Sequence, residues 1–467
     1  MIFLSKNIQV SVGIIGGGPA GYVAAIKAAQ LGASVAMVEE REIGGTCLNR
    51  GCIPTKALLR TSEVTYLIKK SKEVSIDSTL NSLDWSTANS RKDRVVKNLR
   101  MGIEHLMKKN NIHVIKGSGR IVNSSEIMVE TESEEIHINC EKLIITTGSK
   151  PLKPDISGID LEDVITSDEA LELKEVPENI VIIGAGAIGL EFATMFNYAG
   201  SKVTVIELMD NILPSEDKEI TSELEKIMKR QGIKINLNTK VIDIVESEKG
   251  LILHTNENEK EKFIETQKVL IAVGRKLNGV SKDIVQLGIK TEKGKILVNE
   301  NMETNIKNVY AAGDVIGGKL LAHLAYAEGR VAAQNALGIK SKVNYNAVPA
   351  CVYTHPEIAS VGLNEEEAKN KNIEVNIGRF NFRNNSRALC LSEREGFVKI
   401  VVDKNSNIIL GAQILGANAS EIISELTLAV SAGIKAEIMA EIIHPHPTLS
   451  EAIMEACGDA VGLAIHK

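Results

Sequence analysis

The chain has 467 residues, 44% hydrophobic and 24% charged, with 54 Lys and Arg against 60 Asp and Glu for a net charge of −6. Such a composition is neither disordered nor fibrous, and at this length a chain splits into more than one core, so about three domains are expected and a single small module is excluded. No cationic excess is available to neutralise phosphates, the longest Gly-interrupted apolar run (Ile180 to Leu190) is too short to cross a bilayer, and the N-terminus has no cleavage pattern; no nucleic-acid partner and no membrane are expected, and the protein is expected in the cytoplasm.

From Val10 the chain reads as an apolar strand, a Gly-rich turn, an Ala-rich helix and a second apolar strand ending at Glu39 and Glu40. The turn carries Gly16, Gly18 and Gly21 in the spacing Gly-x-Gly-x-x-Gly, with Glu39 following Gly21 by 18 residues. The three glycines serve different purposes. Gly16 permits the tight turn, Gly18 lets the backbone approach a pyrophosphate, and Gly21 lets helix and strand pack closely. Glu39 stands where it can accept a hydrogen bond from a ribose hydroxyl. An ordinary tight turn would explain the glycines alone, but not the strand, helix and acid falling in register with them.

The next segment, Gly44 to Lys56, reads GGTCLNRGCIPTK. Cys47 and Cys52 on one ideal helix would stand about 7.5 Å apart along the axis and about 140° around it, too far for a disulfide. A redox-active pair therefore needs a bend, which Gly51 can supply, and Pro54 places the start of the following helix near Cys52. A thiol at a helix N-terminus is acidified and nucleophilic. Two buried thiols or half of a zinc site are the competing readings. Zinc would need two more ligands, and no second close Cys or Cys/His pair is evident, so no metal is expected. Cys140, Cys351, Cys390 and Cys457 are isolated and read as small apolar core residues.

Further on, the apolar strand through Ile144 and Ile145 ends in Thr146, Thr147, Gly148 and Ser149 before Pro151 and Pro154, which suggests a domain crossing. The Gly-rich pattern then repeats with Gly184, Gly186 and Gly189, followed 18 residues later by Glu207. Two fingerprints imply two dinucleotide sites. An acid at Glu207 with Leu208 and Met209 after it, and no Arg to meet a 2′-phosphate, favours NAD over NADP. Leu270 to Arg275, containing Gly274, closes this unit, and Val309 to Asp314 is another strand with an acid at its C-terminal end. Asp314 could also simply cap a turn. From about Asn344 the pattern changes to strands at Phe397–Val402 and Ile408–Ile414 and a helix at Ala419–Ala432, a third domain of α+β type. The fold class is thus α/β, with two Rossmann-like domains and a C-terminal α+β domain.

Near the C-terminus, His444, Pro445, His446 and Pro447 precede a helix expected to begin near Thr448, with Glu451 placed as in a capping box. Glu451 either caps that helix or orients a His as general base.

Together, CLNRGCIPTK, the two fingerprints, Thr146-Thr147-Gly148, Gly313-Asp314 and HPHPTLSE resemble the FAD-dependent pyridine nucleotide-disulfide oxidoreductase family, over nearly the whole chain from Val10 onward. The resemblance implies an FAD-binding domain in two parts (1–148 and 275–343), an NAD-binding domain (149–274) and an interface domain (344–467). It implies that Gly16, Gly18, Gly21, Glu39, Lys56, Gly119, Thr147, Gly148, Ser149, Asp314 and Ala322 hold FAD, and that Gly184, Gly186, Gly189, Glu207 and Gly274 hold NAD. Glu191 would pair with Lys56 beside the flavin. Cys52 would lie against the flavin and Cys47 would exchange disulfides with the substrate. His446, oriented by Glu451, would be the base, acting on the neighbouring subunit of a homodimer, while His444 lacks a carboxylate at that spacing.

The activity so implied is oxidation of dihydrolipoyl groups with reduction of NAD, the lipoyl group being carried on another protein, a lipoyl domain of a 2-oxoacid dehydrogenase or glycine cleavage complex. The alternatives are a glutathione or mercuric-ion reductase of the same family, or a non-catalytic nucleotide-binding assembly protein. Two departures stand out. Leu277 occupies a position where Pro is common and should alter only a loop, and the chain ends 16 residues after Glu451, a short tail whose packing the resemblance leaves open.

Overall fold

The computed structural model describes residues 4–131 and 134–467. The chain divides into two compact units, the first made of Met1–Ala57, Thr87–Leu152 and Gly274–Val343, the second of Leu58–Ser86, Lys153–Val273 and Asn344–Lys467.

In the first unit the strand Leu4–Ile15, longer than its apolar run from Val10, pairs in parallel with Val35–Glu39 on one side and Glu134–Ile145 on the other, and His113–Lys116 extends the sheet beyond Val35–Glu39. Side chains alternate across a strand, and here both faces are apolar, as expected for a parallel sheet covered on both sides. Val12, Ile14, Val35, Met37 and Ile144 belong to one core with Ala24, Ala25 and Ala28 of the helix Pro19–Gln30; Ile15, Val38, Ile138 and Ile145 belong to another. Glu134–Ile145 plays two parts. Its first half pairs antiparallel with Glu126–Glu130, and its last residues pair in parallel with Val309–Ala311. The parallel strands consequently end together, and their tails are tied by Gly16 N–H to the Val38 carbonyl (2.8 Å), Thr146 N–H to Ile15 (2.9 Å) and Ala312 N–H to Ile145 (3.0 Å).

The second unit repeats this plan in a parallel sheet ordered Lys234–Asn236, Lys202–Ile206, Asn179–Ile183, Lys268–Ile271, Val164–Ile165. An antiparallel meander, Thr239–Ser247, Gly250–Glu257 and Lys260–Thr266, accompanies it. The C-terminal residues form a five-stranded antiparallel sheet in which Glu357–Gly362 and Phe397–Asp403 flank Ile409–Gly416. Ile423, Leu426 and Ala429 of the helix Ala419–Ala432, and Ala452, Ile453 and Ala456 of Glu451–Ala460, share one core with Val398, Ile400, Ala412 and Ile414 of that sheet. Among the described residues no helix is long and apolar enough to cross a membrane, and no cluster of His, Cys, Asp and Glu is suited to hold a metal ion.

Three local expectations need correction. The last helix begins at Glu451 rather than Thr448, because residues 449–450 form a turn. Leu277 is not in a loop: it closes the short strand Arg275–Leu277, opposite Ser149. Of the four isolated cysteines, Cys140 and Cys457 are core residues, but Cys351 is half-buried and Cys390 is exposed. Cys390 lies on the six-residue helix Ser386–Leu391, which buries Ala388 and turns Leu389 and Cys390 outward.

Candidate active site

In the first unit, the three fingerprint glycines do three different things. Gly16 has φ +101°, and a Cβ there would lie 2.3 Å from the Thr146 carbonyl oxygen; at Gly21 it would lie 1.9 Å from the Gly16 carbonyl oxygen. At Gly18 the nearest atom would be 3.8 Å away, so this backbone is open for close approach of another group. Gly18 is also the N-cap of Pro19–Gln30 and offers no side chain, which leaves the first N–H groups of the helix to an anion. Glu39 crosses the turn, accepting the N–H of Gly17 at 2.6 Å and of Arg41 at 2.8 Å. A carboxylate has further lone pairs, so both bonds orient it without exhausting it.

The cysteine segment follows at once. Gly44 donates its N–H to the Gly17 carbonyl (2.8 Å), and a Cβ on Gly45 would fall 2.6 Å from Cα of Gly18, so only glycine lets this segment pack against the turn. Asn49 donates to the carbonyls of Ile43 and Gly45, both at 3.0 Å, and Arg50 pairs with Glu42 at 2.8 Å. The short helix Gly45–Arg50 then breaks at Gly51 and a new helix, Cys52–Lys70, begins. The break expected at Gly51 is present, and it brings the two sulfurs into hydrogen-bonding contact. Both residues are half-buried thiols in this structure. The hydrogen bond to Cys52, burial, and the charge of Cys52 hold the Cys47 thiol well above its ordinary range, while Lys56, one turn into the second helix, works in the opposite direction. Two sulfurs in such contact are placed to join as a disulfide when oxidised, and the bond between them can then be opened by an incoming thiolate.

The remaining residues of this unit assigned to the site close the same edge of the sheet. Ser149 donates to Asp314 (2.5 Å) and accepts from Nε of Arg275 (2.7 Å), and Asn278 donates to the Thr147 carbonyl (2.9 Å). Gly148, at φ +70°, has open space where a side chain would be. Gly313 donates its N–H to the buried Glu328 (2.9 Å), and Ala322 begins the helix Ala322–Ala336. Gly119 lies in the strand Ser118–Asn123, where a Cβ would meet Val38 at 2.9 Å; packing alone requires glycine there. Arg275, Asn278 and Glu328 were not singled out from the sequence, because residues that act by holding Ser149, Thr147 and Gly313 have no motif of their own.

The second unit reproduces the first fingerprint closely. Gly184 has φ +107° with its virtual Cβ 2.5 Å from the Ala272 carbonyl oxygen, Gly189 would clash with the Gly184 carbonyl oxygen at 2.0 Å, and Gly186 meets nothing within 4 Å. Glu207 accepts the N–H of Ala185 at 2.7 Å and of Met209 at 2.9 Å, the same two positions that Glu39 engages. Leu208 and Met209 are exposed beside it, with no cation among them. Glu191 is buried on the helix Ala187–Ala199 and accepts the Tyr353 N–H at 3.1 Å. Gly274, belonging to the first unit, has φ +129° and open space around it.

In the C-terminal part of the second unit the two candidate histidines differ sharply. His444 is buried, with Nδ1 on the Ile442 carbonyl (3.0 Å) and Nε2 on Glu425 (2.9 Å). His446 is 69% exposed, and its Nδ1 meets Glu451 at 2.8 Å. The second oxygen of Glu451 accepts the Thr448 N–H at 2.7 Å. Burial tends to raise the Glu451 carboxyl, but the Thr448 N–H and the His446 ring outweigh it and hold the carboxyl below its ordinary value. Glu451 therefore meets His446 and accepts the Thr448 N–H, but the helix begins at Glu451 itself, with Ser450 as its N-cap and no side-chain cap, so the expected capping box is not formed.

Residues 10–329 match the pyridine nucleotide-disulphide oxidoreductase family, and residues 348–457 match the dimerisation domain of the same family. The chain belongs to that family. It is 41% identical to a dihydrolipoyl dehydrogenase of Bacillus subtilis (strain 168), over 98% of this chain and 99% of the relative. It is also 41% identical to the mitochondrial dihydrolipoyl dehydrogenase of Pisum sativum, over 99% and 94%. Among solved structures, the HOCl-induced flavoprotein disulfide reductase RclA from Escherichia coli superposes with a TM-score of 0.85 at 31% identity, covering 96% of this chain and 99% of that one. The disulfide oxidoreductase assignment agrees with the paired thiols, the two open glycine cradles and the two tethered acids. The dimerisation domain makes the family member a homodimer, consistent with the apolar side chains of Leu428, Ile438 and Ile443 that it leaves exposed in the single chain.

Proposed function

We infer that this chain catalyses the reaction for which its relatives are named, the oxidation of dihydrolipoyl groups with NAD⁺ as electron acceptor. The observation that carries the reading is the break at Gly51, which sets Cys47 against Cys52 in the same unit as an open, acid-flanked glycine turn. FAD and NAD are the cofactors. The residues fit them: Gly18 and Gly186 leave room for a pyrophosphate, and Glu39 and Glu207 are held for ribose hydroxyls. Gly16, Gly21, Lys56, Gly119, Thr147, Gly148, Ser149, Asp314 and Ala322 complete the FAD set; Gly184, Gly189, Glu191 and Gly274 are assigned to the remaining cofactor contacts.

In the oxidised enzyme Cys47 and Cys52 are joined. A dihydrolipoyl thiol loses its proton to Nε2 of His446 across the dimer, and Glu451 stabilises the imidazolium that results. The thiolate attacks Cys47; the new S–S bond forms as the Cys47–Cys52 bond breaks, and its electron pair goes to Cys52. The second lipoyl thiol then attacks the first sulfur, its electron pair displacing Cys47 and its proton passing to the departing Cys47 sulfur, so that oxidised lipoyl is released with Cys47 as thiol, Cys52 as thiolate and the first proton on His446. When bound, FAD supplies the two-electron chemistry that links thiols to hydride transfer on NAD. The lipoyl group is proposed to arrive on the lipoyl domain of a multienzyme complex, and the site of action to be the cytoplasm.

A glutathione reductase would need cations beside the second acid, where Leu208 and Met209 stand, and a mercuric-ion reductase would need a C-terminal thiol pair, whereas Cys457 is buried in the last helix. The test is the visible spectrum of the purified protein, followed by reduction with dihydrolipoamide or glutathione and reoxidation with NAD⁺ or NADP⁺. Flavin reduction by dihydrolipoamide and reoxidation by NAD⁺ are expected, both lost for the thiol substrate in Cys47→Ser while flavin stays bound. A colourless protein, or a flavin reduced by glutathione alone, would refute the reading.

A further inference from the structure

Between the strand Lys202–Ile206 and the helix Lys218–Arg230, residues 207–217 form neither helix nor strand, yet hydrogen bonds fix this loop at three places. At its start Glu207 accepts the Ala185 N–H at 2.7 Å. In its middle Leu213 donates its own N–H to the Ala185 carbonyl at 3.0 Å. The loop thus grips residue 185 by both its backbone groups, directly ahead of Gly186 and its open space. Leu213 does so at φ +46°, a left-handed backbone that a residue with a side chain adopts only where its surroundings impose it. Glu216 then donates its N–H to the Leu213 carbonyl at 2.9 Å, closing a turn over the exposed Pro214 and Ser215 and leading straight into Asp217.

Asp217 is the third fixed place. One carboxylate oxygen accepts the N–H groups of Glu219 (3.0 Å) and Ile220 (3.4 Å), and the other accepts from Nζ of Lys399 at 3.0 Å. Lys399 comes from the strand Phe397–Asp403, which is hydrogen-bonded to Val375–Asn381 on one side and Ile409–Gly416 on the other. Arg379, directly opposite Lys399, pairs with Glu219.

We propose that Lys399 is a positioning residue for the nucleotide held at the second glycine turn: its ammonium fixes Asp217, and through the turn from Leu213 to Glu216 it fixes the Ala185 peptide that shapes the pyrophosphate cradle. Asp217 is buried, and a buried carboxylate stays with its cation. A cation on a strand paired on both sides is a rigid reference for the loop. Once Asp217 is released, Leu213 can relax out of its left-handed conformation and turn its N–H away from Ala185. The N–H groups at the start of the helix Ala187–Ala199 are then no longer held ready for an anion. Because Lys399 belongs to the dimerisation domain, the nucleotide turn takes its position from the domain that joins the subunits.

This inference rests on the second turn being the NAD site of the proposed function, and the experiment separates the two. NAD⁺ is titrated calorimetrically into the oxidised, flavin-loaded dimer, which has no electrons to give it, for the wild type, Lys399→Met and Lys399→Met/Asp217→Asn, at a temperature where the proteins are folded. Lys399→Met is expected to weaken NAD⁺ binding about fivefold or more, the scale of coupling between linked sites. The double variant removes the orphaned charge and keeps the helix capped, so it regains stability, but the tether is still absent and NAD⁺ should bind as weakly. It also carries the test if Lys399→Met alone does not fold. Unchanged dissociation constants, or an affinity that recovers together with stability in the double variant, would overturn the proposal and leave the loop held by its buried Ile212 and Leu213. A wild type that takes NADP⁺ and not NAD⁺ would refute the nucleotide assigned to the turn, and the same comparison made with NADP⁺ would still decide the role of Lys399.

Discussion

The Glu451 carboxylate meets Nδ1 of His446 at 2.8 Å, leaving Nε2 of an exposed ring as the face available to a substrate thiol. Two residues away, His444 has both ring nitrogens engaged inside the domain. Replacement should therefore separate chemistry from stability. His446→Gln is expected to lower turnover by about 10²-fold or more with little change in unfolding, the usual cost of removing a general base. His444→Gln should leave turnover largely intact and destabilise the fold by about 1–3 kcal/mol, because it strands the Ile442 carbonyl or Glu425. Steady-state rates and urea unfolding on the two variants decide it; equal losses of turnover would reverse the assignment.

Gly186 and Gly189 look alike in sequence and differ in what surrounds them. A methyl group on Gly186 meets nothing in the protein, whereas on Gly189 it collides with the Gly184 carbonyl at 2.0 Å. Gly186→Ala should fold normally, keep its flavin and raise the KM for NAD⁺, since the methyl occupies space meant for the pyrophosphate. Gly189→Ala should lose about 2 kcal/mol or more of stability through overpacking. Thermal unfolding together with the KM for NAD⁺ distinguishes them, and a normal KM in Gly186→Ala would show that the cradle is not used.

Why some of this was legible in the sequence and some was not follows from where the information resides. Gly16, Gly18 and Gly21 announce a backbone geometry, because no other residue tolerates it, and the spacing to Glu39 reports strand and helix lengths. The bend at Gly51 could be deduced because two sulfurs five residues apart cannot meet on a helix. Ala419–Ala432 matches its apolar periodicity residue for residue. Contacts between distant segments left no such trace: the grip of Arg275 on Ser149, the meeting of Tyr22 with Tyr326, and the second half of Glu134–Ile145 taking Val309–Ala311 as a neighbour all join residues more than 100 positions apart, and periodicity carries only short-range order. Cys390 was misplaced for a related reason, since a six-residue helix has too few turns to reveal its buried face.

Lys399 illustrates a further long-range arrangement. Its ammonium is 4% exposed and lies 3.0 Å from Asp217, 3.0 Å from Glu365 and 3.3 Å from Glu219. Burial works against the charge, but these carboxylates outweigh it and raise the group above its ordinary value. Asp217 at the same time accepts the N–H groups of Glu219 and Ile220 and so caps the helix Lys218–Arg230. Lys399→Met leaves the buried Asp217 without its cation and should cost about 3 kcal/mol, the range for breaking a buried pair. Adding Asp217→Asn removes the orphaned charge but keeps an acceptor for the helix, so the double variant should be more stable than Lys399→Met alone. Urea unfolding midpoints of the four proteins in this cycle provide the measurement, and a double variant less stable than the single one would show that Asp217 is not strained by the loss.

Ile465 and His466 are held by the buried carboxylate of Glu455. Glu455, on the last helix, accepts the N–H of Ile465 at 3.1 Å, the N–H of His466 at 3.2 Å and pairs with the His466 ring at 2.6 Å, and Lys467 pairs with Asp459. Burial alone would raise the Glu455 carboxyl; the His466 ring and the two backbone donors reverse that and hold it below its ordinary value of 4.5. A carboxyl lowered by folding contributes stability that is complete above its unfolded value and is lost as the pH falls through the lowered one. The tail should accordingly stay docked at pH 6 and detach only below about pH 4.5, seen as loss of hydrogen-exchange protection at Ile465 and His466 while the helix Glu451–Ala460 keeps its own. Glu455→Gln, which replaces one acceptor oxygen by a donor, should abolish that protection at every pH. Protection that persists in Glu455→Gln would mean that the tail is docked by its apolar residues, and the carboxylate would then be incidental to it.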